Sequence, residues 1–136
     1  MQSFIFTERT DPKKRAINER IKDFSEIYEI YTPNEASLQS ERCVQCGDPY
    51  CHNRCPLHNY IPHWLKAVAE GDLELAFKLS NDSSPFPEVM GRICPHDRLC
   101  EGHCTLNEGY GAVTIGPVET YISEEGFKKG LRPEFP

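Results

Sequence analysis

Hydrophobic residues recur at helical spacing in the first third of the chain. Ile17, Ile21 and Phe24 follow one another at intervals of four and three residues. Asp11-Pro12 precedes them and offers an N-cap residue followed by proline at the first helical position. The pattern predicts a helix over about residues 12–27 with one apolar face.

Polar caps predict the helices that follow. Thr32-Pro33-Asn34-Glu35 has the form of a capping box with proline at the first helical position. Residues 63–70 have a helical pattern that ends at Gly71, a suitable residue for the left-handed turn after a helix. Asp72 can cap a further helix, and we expect the buried side of this helix to contain Leu75, Ala76 and Leu79.

Prolines and glycines divide the rest of the chain. Pro85 and Pro87 predict the end of the preceding helix and a short turn. Gly116-Pro117 precedes a last predicted helix that contains Val118, Tyr121 and Ile122. Only residues 111–115 alternate like a strand, and this run is short. The sequence therefore predicts an all-α fold class.

Length and charge narrow the classes of protein. The chain of 136 residues suits one domain of ordinary size. Its 21 acidic and 15 basic side chains give a net charge of -6, which argues against nucleic-acid binding through a basic surface. No apolar run approaches the ~20 residues that span a bilayer. The N-terminus lacks the apolar core of a secretion signal, so we expect a cytoplasmic protein with no membrane or nucleic-acid partner.

The hydrophobic content suggests that a core alone does not hold the fold together. Hydrophobic residues make up 38% of the chain, whereas about 45–50% is usual when glycine is counted. The seven cysteines are candidate metal ligands, because disulfides are rare in a reducing compartment. We therefore expect the fold to depend on bound metal.

The cysteines form two groups with different spacing. The first group is C-x2-C-x4-C-x3-C and comprises Cys43, Cys46, Cys51 and Cys55. The second group is C-x5-C-x3-C and comprises Cys94, Cys100 and Cys104. A C-x2-C turn presents two thiolates on one side, and Gly47 offers a residue suited to a left-handed backbone there. Such turns hold either tetrahedral zinc or iron–sulfur clusters.

Two cysteines are followed by proline, which favours iron–sulfur clusters over zinc. Zinc sites usually combine two C-x2-C pairs, or a cysteine pair with a histidine pair, and here there is only one C-x2-C. The five histidines leave mixed zinc sites open as an alternative. Cys55-Pro56 and Cys94-Pro95 are similar to the ferredoxin pattern, in which the cysteine before proline ligates a different cluster from its neighbours. The pattern therefore predicts two mixed sets. Cys43, Cys46, Cys51 and Cys104 form the first set, and Cys55, Cys94 and Cys100 form the second.

Two 4Fe–4S clusters need one more ligand than the cysteines supply, so either one iron is missing or a residue other than cysteine is the eighth ligand. The residues nearby that could provide it are His103, Glu108 and Glu119, and spacing alone does not decide among them. An oxygen ligand would change the local charge and hence the reduction potential.

Three segments make the chain resemble a known family. They are CVQCGDPYCHNRCPLHNYIPHWL from residue 43, RICPHDRLCEGHCTLN from residue 92, and GAVTIGPVETYI from residue 111. They are similar to the N-terminal domain of the glutamate synthase small (beta) subunit, a module also found in dihydropyrimidine dehydrogenase and related flavin oxidoreductases. The similarity covers about residues 20–135 and implies a helical domain organised around two 4Fe–4S clusters.

The resemblance also implies a ligand set and a role. It assigns Cys43, Cys46, Cys51 and Cys104 to one cluster, and Cys55, Cys94, Cys100 and Glu119 to the other. It implies that the clusters pass electrons from an FAD, reduced by NADPH, to a second flavin in an assembly that makes glutamate from glutamine and 2-oxoglutarate. The implied partners are an FAD- and NADPH-binding domain or subunit and the glutamate synthase large subunit.

The chain is expected to consist of one domain followed by a short linker. Residues 1–130 are expected to form the double-cluster domain, and residues 131–136 a linker toward an absent FAD and NADPH domain, which would bind those two cofactors. The chain by itself is expected to transfer electrons without catalysing bond chemistry. The alternatives are a metal-stabilised docking module and a stand-alone electron carrier for another flavin oxidoreductase. Four arginines near the cysteines either offset cluster charge or dock a partner, or are simply solvated or ion-paired: Arg42, Arg54, Arg92 and Arg98.

Overall fold

Residues 3–134, which a computed structural model describes, form seven α-helices joined by irregular segments. The helices are α1 (Ile17–Arg20), α2 (Pro33–Ser40), α3 (Tyr50–Arg54), α4 (Ile61–Ala69), α5 (Leu73–Ser83), α6 (Pro87–Ile93) and α7 (Ile115–Lys128). A single turn of 3-10 helix covers Ser3–Ile5. Lys14 and Tyr28 form an isolated antiparallel bridge, and the described residues contain no longer strand. The predicted all-α class is confirmed.

The core lies between α4, α5 and α7. Trp64 and Leu65 of α4, Phe77 of α5 and Ile122 of α7 are all buried there. Helix α4 packs against α2 and α5, and α7 packs against α5 and α6. No helix within residues 3–134 is both long and apolar enough to cross a membrane.

The predicted caps of α2, α4 and α5 are present. The Thr32 side chain accepts a hydrogen bond from the Glu35 amide, and the Glu35 side chain accepts one from the Thr32 amide. Gly71 follows α4 with φ +80°, a left-handed conformation that glycine adopts without strain. Asp72 accepts a hydrogen bond from the Leu75 amide at 3.0 Å and so begins α5.

The helix predicted over residues 12–27 is wrong. Only Ile17–Arg20 is helical, with Ala16 as N-cap, and the side chains of Ile17, Ile21 and Phe24 are exposed. The chain folds back here, because the Arg15 amide donates to the Ile27 carbonyl and the Arg15 guanidinium pairs with Asp23. These contacts replace the helical hydrogen bonds that the periodicity predicted.

Other local predictions also need correction. Pro87 does not lie in a turn but occupies the first position of α6. Proline is tolerated there because an N–H group at the first helical position would have no acceptor within the helix. On α5, Leu75 is exposed and not on the buried side as predicted, whereas Phe77 is buried. Residues 111–115 form no strand and lead directly into α7.

The C-terminal residues follow α7 through a left-handed glycine. Gly130 has φ +84°, and the Leu131 amide donates to the Gly126 carbonyl at 3.0 Å. The linker over residues 131–136 stays a prediction, and Phe135 and Pro136 lie outside the described residues.

Gly126 on α7 is expected to tolerate no side chain. A methyl group at this position would overlap the ring of the buried Phe77. Because α5 and α7 meet at this contact, we expect Gly126→Ala to lower the free energy of unfolding by about 1–3 kcal/mol. The measurement is thermal unfolding of the holo-protein. Lys129→Ala is the control, since Lys129 is exposed at the end of the same helix and away from both ligand sets. Equal melting temperatures for the two variants would contradict the expectation.

Candidate metal centre

Four thiols from both cysteine groups line one small cavity. Cys43 and Cys46 come from the segment after α2, Cys51 from α3, and Cys104 from the segment between α6 and α7. The rest of the lining is largely apolar and includes Leu65, Leu106, Val113 and Ile115. The structure thus brings together the four residues of the first predicted ligand set. Four thiols around an apolar space match the ligands that a 4Fe–4S cluster needs.

The turn between Cys43 and Cys46 is fixed by Gln45. Gln45 has φ +53°, so the left-handed residue is Gln45 and not Gly47, which was the wrong choice from sequence. This conformation directs the Gln45 amide at the Cys43 sulfur at 3.5 Å, and its side-chain Nε2 at the same sulfur at 3.2 Å. Nε2 also donates to the Pro62 carbonyl at 2.8 Å, which ties the turn to α4.

Hydrogen bonds and burial set the charge state of these thiols. The Cys46 sulfur lies 3.2 Å from the hydroxyl of Thr105, the residue after Cys104, and both residues line the cavity. Burial raises the pKa of Cys43, although the two Gln45 contacts oppose the shift. Burial and the neighbouring thiols raise the pKa of Cys51 to about 12. Iron binding must therefore displace protons from these thiols, and the metal's positive charge offsets the cost of the buried thiolates.

Charge interactions link members of the second predicted set to Glu119. Cys55 ends α3 and Cys94 ends α6, and a proline follows each of them. Burial raises the pKa of Cys94, and the nearby Glu119 and Cys55 raise it further. The pKa of Cys100 is also raised, first by burial and then by Glu101 and Glu119. The charge of Glu119 thus acts on both Cys94 and Cys100, and that of Cys55 on Cys94.

Of the three candidates for the eighth ligand, Glu119 alone is both buried and near these cysteines. Its carboxylate Oε1 accepts a hydrogen bond from Asn59 Nδ2 at 2.9 Å, and burial raises its pKa to about 8. Glu108 is exposed, and His103 Nδ1 lies 2.8 Å from the Leu99 carbonyl. The ligand assignment itself stays a prediction.

Close packing of α6 on α7 positions two members of the second set. A methyl group at Gly91 of α6 would lie 2.9 Å from the Gly116 carbonyl of α7 and 2.6 Å from the Thr120 hydroxyl. Only glycine allows this approach. It places Cys94, at the end of α6, beside Glu119, one turn into α7.

Two buried polar residues that the sequence patterns do not predict, Glu101 and Asn59, support the second ligand set. Glu101 is 8% exposed; its Oε1 accepts from the Gly116 amide at 3.0 Å and its Oε2 from Arg9 at 2.8 Å. It joins the Cys100 segment to the start of α7. Asn59 lies just before α4 and contacts Glu119. Asn59 lies four residues after Cys55, in the segment Cys-Pro-Leu-His-Asn, and this closeness to a ligand was the sequence signal that could have revealed it. No sequence signal near Glu101 distinguishes it from a carboxylate on the surface.

The four arginines near the cysteines have different surroundings. Arg42 is completely buried and bonds only to backbone carbonyls among the described residues. Arg92 pairs with Glu26 and Glu124. Arg54 and Arg98 are exposed. Only Arg42 is thus a buried cation beside the first ligand set.

A larger groove of about 680 Å³ lies between residues 9–30 and the helices α6 and α7. It contains no cysteine, and its arginines pair with carboxylates, Arg9 with Glu101 and Arg92 with Glu26. Within residues 3–134, no three or more His, Cys, Asp or Glu side chains converge closely enough to hold a single metal ion.

Comparison with known proteins identifies the family. The family described as dihydropyrimidine dehydrogenase domain II, 4Fe-4S cluster, matches residues 20–131. The chain belongs to this family. The predicted resemblance is confirmed, and this chain is a 4Fe–4S domain.

Relatives of this chain with curated names include glutamate synthase small chains. The present 4Fe–4S domain is 54% identical over 131 residues to the glutamate synthase (NADPH) small chain of Halomonas elongata, and 50% identical over 131 residues to that of Escherichia coli. Each alignment covers 96% of this chain and 28% of the relative. The corresponding chain of Azospirillum brasilense is 46% identical over 138 residues, which is 29% of its length. The chain thus spans less than a third of the length of these relatives. Membership of the 4Fe–4S family implies that the domain transfers electrons.

Proposed function

We propose that this domain carries two 4Fe–4S clusters and relays electrons between them. Cys43, Cys46, Cys51 and Cys104 would hold the first cluster, and Cys55, Cys94, Cys100 and Glu119 the second. The observation that carries the proposal is the cavity in which Cys104 joins three cysteines of the other group. That crossing leaves Cys55 with Cys94 and Cys100, so each site receives four ligands once Glu119 is included.

The chain's own residues would adapt both sites to electron transfer. When bound, a 4Fe–4S cluster accepts and releases single electrons, at a potential set by hydrogen bonds to its sulfurs, by net charge and by solvent exposure. Gln45 and Thr105 supply hydrogen bonds to Cys43 and Cys46. Glu119 replaces a thiolate with an oxygen ligand at the second site. The two sites therefore differ in ligands and in surroundings, which gives them different potentials.

We further propose that the domain works in a glutamate synthase assembly. It would pass electrons from an FAD, reduced by NADPH, to a second flavin, which supports the formation of glutamate from glutamine and 2-oxoglutarate. The identity to glutamate synthase (NADPH) small chains over nearly the whole chain supports this proposal. The implied partners are the FAD- and NADPH-binding part of such a small chain and the large subunit, and we propose a cytoplasmic location.

Anaerobic purification tests the number of clusters. We expect about eight irons and eight sulfides per chain, and an absorption band near roughly 400 nm that bleaches on reduction. A colourless protein with one or two zinc ions would contradict the proposal and support a structural docking module. About four irons would contradict the second cluster.

Single cysteine variants test the crossed ligand sets. We expect Cys104→Ala to remove the same electron paramagnetic resonance signal as Cys46→Ala, because both thiols line the first cavity. Cys55→Ala is expected to remove the other signal, as Cys100→Ala does. About half of the iron should be lost in each case. If the groups followed the sequence instead, Cys55→Ala would match Cys46→Ala, and the crossing would be wrong.

A further inference from the structure

Asn59 links the buried Glu119 to the buried Trp64. Asn59 Nδ2 donates to Glu119 Oε1 at 2.9 Å, and Trp64 Nε1 donates to Asn59 Oδ1 at 3.0 Å. The three side chains are 4%, 6% and 0% exposed in the order Asn59, Glu119, Trp64. Water therefore has little access to substitute for either hydrogen bond.

Trp64 determines which way the Asn59 amide faces. An indole nitrogen is only a donor, so the amide oxygen of Asn59 must be the atom that meets it. The NH2 group of Asn59 then faces residue 119. The side chain at position 119 must consequently present an acceptor on that side.

We propose that Asn59 is a positioning residue that selects a carboxylate over an amide as the oxygen ligand of the second cluster. It binds Oε1 of Glu119 and leaves Oε2 available for iron; this rests on the proposed function, in which Glu119 is the eighth ligand. A glutamine at position 119 has only one oxygen. If that oxygen binds iron, the glutamine NH2 meets the Asn59 NH2, and two buried donors face each other without an acceptor.

A reciprocal exchange of the two side chains tests this selection. In the double variant Asn59→Asp with Glu119→Gln, one oxygen of the carboxylate at position 59 still accepts from Trp64. The other oxygen accepts from the NH2 group of the amide now at position 119. The oxygen of that amide stays available for iron, and the formal charge of the pair is unchanged. Each single variant instead places two donors or two acceptors opposite each other.

The readouts are the rate at which an iron chelator, ferrozine, removes iron from the second cluster, and that cluster's electron paramagnetic resonance signal and midpoint potential. We expect Glu119→Gln and Asn59→Asp each to accelerate iron loss by about tenfold or more, as the loss of a supporting hydrogen bond does at other metal sites. We expect the double variant to return close to the wild-type rate and spectrum. The signal of the first cluster, whose ligands do not include Glu119, reports in every variant that the domain is folded.

Two controls separate this inference from the function on which it rests. Asn34→Asp makes the same chemical change at an exposed position on α2 and should leave the second cluster unaltered. Glu119→Ala removes any oxygen ligand. If Glu119→Ala left the rate and spectrum at wild-type values, the ligand assignment and the inference would both fail. If Glu119→Ala weakened the second cluster but Glu119→Gln matched wild type, or the double variant was no better than the single ones, only the selection by Asn59 would be overturned.

Discussion

Removal of iron is expected to abolish the cooperative thermal unfolding of this domain. The cysteine ligands lie on or beside segments with little regular structure: α3 has five residues, α6 has seven, and residues 94–114 contain no helix beyond isolated turns. Isolated helices shorter than ~12–15 residues are marginal in water. These segments therefore depend on the clusters to hold them against the α4, α5 and α7 core.

The energies involved make this effect large. Structural metal binding contributes about 10–16 kcal/mol in small zinc domains, whereas a whole domain is typically stable by about 5–15 kcal/mol. Without metal, the raised pKa values of Cys43 and Cys51 keep these buried thiols protonated around an unfilled cavity.

The measurement is circular dichroism during heating, under anaerobic and reducing conditions, before and after treatment with a chelator. We expect a sharp transition for the holo-protein and a gradual loss of helical signal for the iron-free protein. Restoration of the sharp transition by added iron and sulfide is the control that excludes chemical damage. A cooperative transition of the iron-free protein within a few degrees of the holo-protein would show that the helical core suffices.

Capping patterns predicted the helices well where a helix end is fixed by hydrogen bonds between residues close in sequence. The capping box at Thr32 and the side-chain cap at Asp72 are both formed. The helix predicted over residues 12–27 failed because periodicity does not show whether an apolar face has something to pack against. Phe24 is fully exposed, and the pair of Arg15 with Asp23 favours a folded-back segment instead. Pro87 predicts the end of a helix from sequence, but proline suits the first turn of a helix equally well, and Pro87 begins α6.

The candidate site was more predictable in its ligands than in its supports. Cysteine spacing and the two Cys-Pro pairs carry strong local information, and the four cysteines predicted for the first set do line one cavity. Spacing left three candidates for the eighth ligand, and burial distinguishes Glu119 from Glu108. The supports depend on distant contacts: the Gly116 amide that Glu101 binds is a backbone group, which leaves no trace in the sequence.

Arg42 is the other residue whose replacement should have a large effect. It is 0% exposed, and its guanidinium donates to the carbonyls of Thr7 at 2.9 Å, Tyr110 at 2.7 Å, Gly111 at 2.9 Å and Ala112 at 2.9 Å. Arg42, which directly precedes Cys43, thus joins the first cysteine group to the N-terminal segment and to the loop before α7. We expect Arg42→Met to destabilise the holo-protein by about 3 kcal/mol or more, because several carbonyls would lose a charged donor at once.

Urea unfolding of the holo-protein measures this loss. Arg54→Met is the matched control, since Arg54 is exposed on α3 and its replacement is expected to change stability by less than about 0.5 kcal/mol. Similar midpoints for Arg42→Met and Arg54→Met would contradict the role of the buried guanidinium.

The charge of Arg42 and its hydrogen bonds can be separated with lysine. Burial and the charge of Arg9 lower the pKa of Arg42, whereas the nearby Cys104 favours the cation. Arg42→Lys retains a positive charge beside the first ligand set but cannot reach four carbonyls with a single nitrogen. We therefore expect it to lose much of the stability that Arg42→Met loses, yet to keep the reduction potential of the first cluster near wild type. Arg42→Met should make that potential more negative, because an anionic reduced state loses its nearest buried cation. Equal potentials for the methionine and lysine variants would mean that Arg42 acts on the fold alone.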